Sequence, residues 1–299
     1  MLSTFLFSGV EVLVYRDDLN HPTVSGNKLH KLTPNIEYAK ERACSTVLSF
    51  GGPYSNHLHA LAWACKEAGL SSIGFVRGEL LDGLTPTLSD CQKWGMTLIP
   101  LSRKVYRECQ GNFSAFDEPY LASDVDLQDH LQISTDLDRT LIIPEGGSNA
   151  IAIDSLSKAY RSVFNSLDCQ GVTHAVCATG TGATVAGLYK DAPETVDVIG
   201  VQAVAEGEAT INRIKKWLGN NTPRLKIKEG HLGRFAKMPP ELIEFIEQFE
   251  SKYSIPLDPV YTGKAMYKLF ELIDSEYFKA RDSVLFIHTG GLQGRRKKM

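Results

Sequence analysis

Short apolar runs recur along the chain, and a stretch with helical patterning separates each run from the next. Short runs that alternate with helices are typical of βαβ units, whose parallel strands are buried on both faces. The sequence therefore predicts an α/β fold with mostly parallel sheets, in which ligands bind beyond the carboxyl ends of the strands. The predicted strands are 12–15, 46–50, 72–76, 96–101, 140–144, 174–178, 196–202 and 284–288.

The composition narrows the class of protein further. Hydrophobic residues make up 43% of the sequence and charged residues 22%, as is usual for a globular protein. A formal net charge of −3 at pH 7 argues against a generally basic nucleic-acid binder. No apolar run approaches the roughly 20 residues that a membrane helix needs, and the six cysteines have no C-x-x-C spacing. We therefore expect a cytoplasmic protein without nucleic-acid or membrane partners.

Two lysines stand at the start of the first predicted helix. Lys28 and Lys31 are three residues apart, and Ser25 or Asn27 can cap the helix. Like charges at this spacing share a helix face and repel by a few tenths of a kcal/mol, unless an anion lies between them or one lysine is neutral. A lysine that forms an imine with an aldehyde must be deprotonated. On these residues alone, two solvated lysines are the simpler explanation.

A loop rich in glycine and threonine, Ala178–Thr184, lies between a predicted strand and a predicted helix. Glycines let successive amides point inward, the helix N-terminus adds partial positive charge, and threonine hydroxyls add donors, which together suit a phosphate. The loop lacks the lysine of a Walker motif. A dinucleotide site is also disfavoured, because no acidic residue ends the next strand at Val201–Gln202. The loop therefore predicts a monophosphate site, with a tight strand–helix turn as the alternative.

A second loop, Gly51–His57, also follows a strand and opens a helix, so it can bind an anion by the same reasoning. Ser55 is most simply the N-cap of that helix. His57 and His59 could suggest a metal, but no third ligand is spaced to join them, and we expect no metal site.

Two further loops carry isolated polar groups. Tyr261 and Thr262 stand just before a predicted helix, and Thr289 directly follows the last predicted strand. Thr289 could exchange a hydrogen bond with a ring nitrogen, and a short polar turn is the alternative for both loops.

Taken in order, these stretches resemble one family, the fold-type-II pyridoxal-phosphate enzymes. The similar branch contains 1-aminocyclopropane-1-carboxylate deaminase and D-cysteine desulfhydrase, and the likeness extends along almost the whole chain. It implies two open, twisted, mostly parallel sheets flanked by helices (tryptophan synthase β-like), pyridoxal 5'-phosphate as cofactor, a small amino acid as substrate and a homodimer. The stretches that carry the resemblance are Tyr15–Leu19, Ser25–Lys28, Gly51–Gly52, Ser55–His57, Pro144–Asn149, Thr179–Thr184, Asp258–Met266 and His288–Gly291.

The resemblance also suggests two domains. A large cofactor-binding domain would comprise 1–44 and 151–299, and a small α/β domain would comprise 45–150. Residues from about 103 to 138 are polar and weakly patterned, so the sequence does not locate helices or strands there, and the role of this region stays open.

The family's functional residues map onto matching positions of this sequence. Lys28 would form the imine with the cofactor and move the Cα proton, and Tyr261 would act as a second acid/base or positioning group. Asn56 would bind the ring hydroxyl. Ser55, Asn56 and His57 would hold the substrate carboxylate, with Ser55 also placed for proton transfer. The expected phosphate ligands are Lys31, Ala178, Gly180, Thr181, Gly182 and Thr184.

Two threonines favour one activity within the resemblance. Thr262 and Thr289 match the desulfhydrase branch, whereas the cyclopropane deaminase branch has glutamate and leucine at these places. We count both among the cofactor-binding residues and expect Thr289 to meet the ring nitrogen. The resemblance therefore favours β-elimination from a D-amino acid such as D-cysteine, giving pyruvate, ammonia and sulfide. The alternatives are ring opening of 1-aminocyclopropane-1-carboxylate and elimination from another small D-amino acid.

Two hypotheses from other classes are weaker. A cofactor-binding carrier without catalysis would need neither Ser55 nor Tyr261, and an NAD-linked enzyme would need the acidic residue that is missing after Val201.

Overall fold

The computed structural model describes residues 1–81, 83–113, 119–124, 135–205, 207–233 and 238–296. The chain forms two compact units. Unit 1 comprises Met1–Asn27 and Ile153–Arg295, and unit 2 comprises Lys28–Ala152 together with Arg296. The domain boundaries that the resemblance implies stay a prediction.

The strands, numbered in chain order, fall where short apolar runs were predicted, with three additions. They are β1 (Leu2–Phe7), β2 (Val10–Tyr15), β3 (Thr46–Gly51), β4 (Ser71–Arg77), β5 (Met96–Leu101), β6 (Tyr120–Leu121), β7 (Thr140–Ile142), β8 (His174–Thr179), β9 (Asp197–Gln202), β10 (Leu225–Glu229) and β11 (Ser283–Ile287).

Helices connect most of these strands. They are α1 (Asn27–Glu41), α2 (Asn56–Ala68), α3 (Pro86–Lys93), α4 (Arg103–Phe113), α5 (Ala150–Phe164), α6 (Ala183–Lys190), α7 (Glu208–Leu218), α8 (Pro240–Tyr253) and α9 (Thr262–Asp274). Among the described residues, no helix is both long enough and apolar enough to cross a membrane.

Unit 1 is built on a sheet with the strand order β1-β2-β11-β8-β9-β10. The β1–β2 pair is antiparallel and the other pairs are parallel. Alternate residues of β2 enter different cores: Val12 and Val14 pack with side chains of α8 and α9, whereas Leu13 packs with side chains of α5 and α6. The sheet is therefore covered on both faces, as parallel strands require.

Unit 2 is built on a sheet with the order β5-β4-β3-β7-β6, in which only β6 is antiparallel to its neighbour. Every residue of the central strand β3 is buried. Leu48 and Phe50 of that strand pack with Phe75 of β4 and Tyr106 of α4. The predicted fold class, two mostly parallel sheets flanked by helices, is thus confirmed.

The elements that the sequence analysis missed lie mainly at sheet edges or in weakly patterned sequence. Strands β1 and β10 are edge strands, and the sequence of β10 is Leu-Lys-Ile-Lys-Glu. Lysines on an exposed edge strand hinder its pairing with other chains. Helix α4 and the short strand β6 occupy part of 103–138, and residues 114–118 and 125–134 of that stretch lie outside the described residues.

Candidate active site

The segment before Lys28 lies against the loop after β11, within unit 1. Gly26 has a φ of +70°, and a Cβ atom placed on it would lie 2.1 Å from the Thr289 carbonyl oxygen. The Asn27 amide donates to the same carbonyl at 3.3 Å. A residue without a side chain is therefore required at this contact.

Asn27 begins helix α1, but its side chain also makes a long-range contact. Its Nδ2 donates to Thr184 Oγ1 at 2.8 Å, and the hydrogen bond is buried. Thr184 is a predicted phosphate ligand in the first turn of α6. From the sequence alone Asn27 is recognisable only as a possible helix cap, because its partner lies 157 residues away along the chain.

The glycine–threonine loop has the form of an anion site. It begins with Ala178 and Thr179 at the carboxyl end of β8 and leads into α6, and Gly182 adopts a φ of +98° just before the helix. Thr179 Oγ1 is buried without a hydrogen-bond partner among the described residues. The loop therefore offers an unsatisfied hydroxyl and a helix N-terminus together.

Tyr261 is held against this loop by the start of α9. A Cβ placed on Gly180 would lie 3.4 Å from Tyr261 Cε1. The buried Asp258 carboxylate accepts hydrogen bonds from the amides of Val260 and Tyr261 at 2.8 Å and of Thr262 at 2.9 Å. Asp258 thus fixes the turn that carries Tyr261, a role that the sequence analysis did not assign.

Thr262 is committed to the same carboxylate. Its hydroxyl donates to Asp258 Oδ2 at 2.9 Å and accepts from the Asp258 amide at 2.9 Å. Burial raises the pKa of the Asp258 carboxyl, while the hydrogen bonds from Thr262, Tyr261 and Val260 act in the opposite direction. Thr262 therefore orders the turn at the start of α9, whereas Thr289 remains the threonine at the carboxyl end of β11.

Thr289 follows a firmly anchored histidine. Thr289 itself is only 7% exposed. His288 Nε2 donates to the Pro256 carbonyl at 2.6 Å, and its Nδ1 lies 3.3 Å from the Asp18 carboxylate. Arg16 pairs with both oxygens of Asp18 at 2.7 and 2.8 Å. The Tyr15–Leu19 stretch thus supports the loop that carries Thr289.

In unit 2, Lys31 is buried in helix α1. Its side chain is 2% exposed, and Nζ donates to the Gly146 carbonyl at 3.1 Å and to Ser148 Oγ at 3.3 Å. The Lys31 carbonyl accepts from Asn35 Nδ2 at 2.7 Å. The side chain of Lys31, a predicted phosphate ligand, therefore contacts the 146–148 turn. Lys31 is not a solvated surface lysine.

Ser55 is the N-cap of α2, as predicted. Its hydroxyl accepts from the Leu58 amide at 3.1 Å. A Cβ placed on Gly51 would lie 2.4 Å from Ser55 Oγ, so a glycine at this position is what lets the serine approach. Asn56 Oδ1 is buried without a partner in the described part of the chain. The Gly51–His57 loop therefore presents the polar groups expected of a ligand site.

The hydrogen bonds around His57 indicate which of its ring nitrogens carries a proton. Its Nε2 lies 2.7 Å from Ser49 Oγ, and that hydroxyl donates its single proton to the Ile143 carbonyl at 2.7 Å. Nε2 must therefore be the protonated nitrogen. Nδ1 is left as a buried acceptor, without a partner among the described residues.

Electrostatics support this assignment. Burial lowers the pKa of His57 well below its ordinary value, and the positive charges of Lys28 and Lys31 lower it further. Lys28 itself is partly buried at the start of α1.

The described residues hold no group of three or more His, Cys, Asp or Glu side chains that could bind a metal ion. All six cysteines lie in the described part of the chain, are buried and carry free thiols.

The polar groups fit pyridoxal phosphate. Thr179 Oγ1 in unit 1 is buried without a partner among the described residues, and so are Asn56 Oδ1 and His57 Nδ1 in unit 2. Polar atoms of a ligand are suitable partners for such groups. The loop before α6, within unit 1, suits a phosphate.

The two mostly parallel sheets and these loops define a fold-type-II pyridoxal-phosphate enzyme. The family model described as "Pyridoxal-phosphate dependent enzyme" matches residues 4–290, and the chain belongs to this family.

Relatives cover nearly the same length. A provisionally named 1-aminocyclopropane-1-carboxylate deaminase of Pyrococcus abyssi is 29% identical, over 96% of this chain and 86% of its own. A D-cysteine desulfhydrase of Salmonella schwarzengrund is 28% identical, over 97% of this chain and 89% of its own. The crystal structure of an ACC deaminase homologue matches with a TM-score of 0.78 and 26% identity, over 96% of this chain and 86% of its own.

Proposed function

We propose that this protein is a lyase that removes the β-substituent of a small D-amino acid. With D-cysteine the products would be pyruvate, ammonia and sulfide. The observation that carries the proposal is Thr289, which is buried just after the carboxyl end of β11. The resemblance implies a leucine at this place in the deaminase branch. The D-cysteine desulfhydrase relatives, similar over nearly the full length, support the same activity.

When bound, pyridoxal phosphate supplies an aldehyde that an amine can attack and a ring that takes up the electrons of a broken Cα–H bond. Lys28 Nζ would hold the aldehyde and then carry the Cα proton, the role that the family resemblance implies for this lysine. Thr289 would offer the ring nitrogen a hydroxyl. A hydroxyl does not give up its proton as readily as a carboxylic acid, so Thr289 would leave the ring nitrogen largely unprotonated, which would suit loss of a leaving group from Cβ.

The start of α2 would bind the substrate carboxylate. Ser55 Oγ and the first amides of the helix, including that of His57, are donors that the helix does not satisfy internally. The neutral His57 ring cannot donate from Nδ1, so we assign it an accepting role toward a substrate or cofactor donor. Asn56 would meet the cofactor's ring hydroxyl.

Two groups would complete the proton transfers and cofactor binding. Tyr261 would be a second acid/base, held by the Asp258 turn. The loop of Ala178, Gly180, Thr181, Gly182 and Thr184, with the charge of Lys31, would bind the phosphate. Thr262 would help to position Tyr261, because its hydroxyl bonds to the Asp258 carboxylate that holds the Tyr261 amide.

A second activity has its own support. The Pyrococcus abyssi relative is named for 1-aminocyclopropane-1-carboxylate deamination. Ring opening of that substrate to 2-oxobutanoate and ammonia uses the same amine and carboxylate sites, and is the alternative.

The decisive experiment compares absorption spectra of wild type and Lys28→Ala before and after addition of D-cysteine. We expect a visible cofactor band in the wild type that Lys28→Ala lacks, followed by release of sulfide and pyruvate. A band without turnover of D-cysteine, but with turnover of 1-aminocyclopropane-1-carboxylate, would replace the first activity by the second. A colourless wild type that takes up no cofactor would contradict the proposal altogether.

We also propose a homodimer in the cytoplasm. The dimer follows from the family resemblance, and six buried free thiols suit a reducing compartment. Light scattering of the purified protein tests the dimer, since a monomer at working concentration would contradict it.

A further inference from the structure

Helix α7 contacts three successive residues of the glycine–threonine loop, and all of these residues belong to unit 1. Thr210 Oγ1 donates to the Gly180 carbonyl at 3.0 Å, and Arg213 Nε donates to the Thr181 carbonyl at 3.1 Å. Arg213 Nη2 also donates to Thr210 Oγ1 at 3.0 Å. Two adjacent carbonyls of the loop are therefore held by two linked side chains of one helix.

Apolar contacts extend the same face of the helix. A Cβ placed on Gly182 would lie 2.8 Å from Ile214 Cγ1 and 3.5 Å from Trp217 Cζ3. Positions 210, 213, 214 and 217 share a helix face, because residues three and four apart line one side. We call Thr210, Arg213, Ile214 and Trp217 the α7 seam.

The seam determines where the loop amides point. In a planar trans peptide the carbonyl and the following N–H point in opposite directions. Since the carbonyls of Gly180 and Thr181 face α7, the amides of Thr181 and Gly182 face away from it. Adjacent amides aimed to the side opposite α7, next to the N-terminus of α6, are the arrangement that binds an anion.

Sequence patterns gave no sign of this role. Thr210 is 1% exposed, and Arg213 is partly buried on a helix that belongs to none of the family stretches. Neither residue is assigned to the phosphate in the proposed function, since both side chains bond to loop carbonyls.

We propose that Arg213 and Thr210 are positioning residues for the cofactor's phosphate, and that Trp217 senses its binding. The inference rests on the proposed function, which assigns the phosphate to this loop. Because coupling between two linked equilibria is reciprocal, a seam that orders the loop for an anion is itself stabilised by the anion.

The test compares the affinities of cofactor-depleted full-length protein for pyridoxal 5'-phosphate and for pyridoxal, which lacks the phosphate. Arg213→Met and Thr210→Val each remove the loop contacts with little change of volume. We expect each to weaken pyridoxal-phosphate binding about tenfold, the usual effect of losing such hydrogen bonds. Their affinity for pyridoxal should stay within about twofold of wild type. A twofold change in affinity is smaller than the roughly 0.5 kcal/mol effect that neutral surface substitutions can have.

Two matched controls separate positioning from charge and from folding. Thr210→Ser keeps the hydroxyl and should retain the wild-type affinity. Lys215→Met removes an exposed positive charge from the same helix and should also leave it unchanged.

Trp217 supplies a readout that needs no cofactor. Titration of the depleted wild type with inorganic phosphate should change tryptophan fluorescence, and Trp217→Phe should abolish the change while Trp63 and Trp94 remain. A fluorescence change that persists in Trp217→Phe would overturn the sensing role.

The outcomes distinguish this inference from the proposed function. A wild type that binds pyridoxal as tightly as pyridoxal phosphate would contradict the phosphate loop itself. A wild type that prefers the phosphorylated form, with Arg213→Met and Thr210→Val either unchanged or equally weakened for both ligands, would overturn only the seam.

Discussion

Asn27 Nδ2 donates a buried hydrogen bond of 2.8 Å to Thr184 Oγ1, which is 157 residues away along the chain. The bond joins the residue that directly precedes Lys28 to the first turn of α6. Both partners lie in unit 1, and the neighbouring Gly26 lies on the Thr289 carbonyl. Three stretches distant in sequence, at 26–27, 184 and 289, are thus linked by direct contacts.

The Asn27–Thr184 pair should behave as a coupled unit. We expect Asn27→Ala and Thr184→Val each to lower the free energy of unfolding of the cofactor-free protein by about 1–2 kcal/mol, since each leaves a buried polar group unsatisfied. The double variant should cost less than the sum by about 1 kcal/mol. Denaturant unfolding measures all three, with the exposed Asn165→Ala as the control. Strict additivity would show that the hydrogen bond contributes nothing.

Gly26 and Gly69 provide a matched pair for backbone strain. Both have a φ of +70°, but a Cβ on Gly69 would meet nothing within 4 Å, whereas on Gly26 it would overlap the Thr289 backbone. Gly69→Ala should therefore cost about 1–2 kcal/mol, the price of a left-handed alanine. Gly26→Ala should cost about 1–3 kcal/mol more because the overlapped atoms are main chain. Thermal or denaturant unfolding of the two variants decides this, and equal losses would refute the overlap.

Variants of Asp258 and Tyr261 distinguish a structural role from a chemical role at the start of α9. Asp258→Asn replaces an acceptor by a donor that faces the amides of the turn, so we expect a loss of about 1–3 kcal/mol of stability together with reduced turnover. Tyr261→Phe should leave stability within about 0.5 kcal/mol but lower turnover about 10²- to 10⁴-fold if its hydroxyl transfers a proton. Steady-state kinetics and unfolding curves of both variants are the measurements. Normal turnover by Tyr261→Phe would limit the ring to a packing role.

Local chemistry made parts of the site predictable from sequence, and tertiary contacts made the rest unpredictable. Ser55 was correctly predicted as an N-cap, because a serine that opens a helix satisfies an amide three residues away. The mostly parallel sheets followed from buried apolar runs. The partners of Asn27 and Arg213 could not be predicted, since they depend on segments that meet only after folding. Strand β10 was missed because its lysines break the apolar pattern.

His57 should make stability depend on pH in the acid range. Its folded-state pKa lies well below the ordinary value of 6.5, mainly because the ring is buried. Between these two pKa values the unfolded chain binds a proton that the folded protein does not, so the free energy of unfolding falls as the pH drops below 6.5. The slope for this group reaches about 1.4 kcal/mol per pH unit. His59 and His174, whose pKa values burial also lowers, act in the same direction.

The variant His57→Gln isolates this contribution, because glutamine can still donate to Ser49 but does not titrate. We expect its unfolding free energy to fall less steeply than that of the wild type between pH 6.5 and 5.5, by up to about 1.0 kcal/mol over that unit, because the unfolded ring is only half protonated at pH 6.5. Nitrogen NMR of labelled wild type should show His57 as the neutral Nε2–H tautomer throughout this range, since Ser49 Oγ accepts from Nε2. Parallel pH curves for the two proteins, or a protonated His57 ring at pH 6, would contradict the buried neutral imidazole and with it the accepting role assigned to Nδ1.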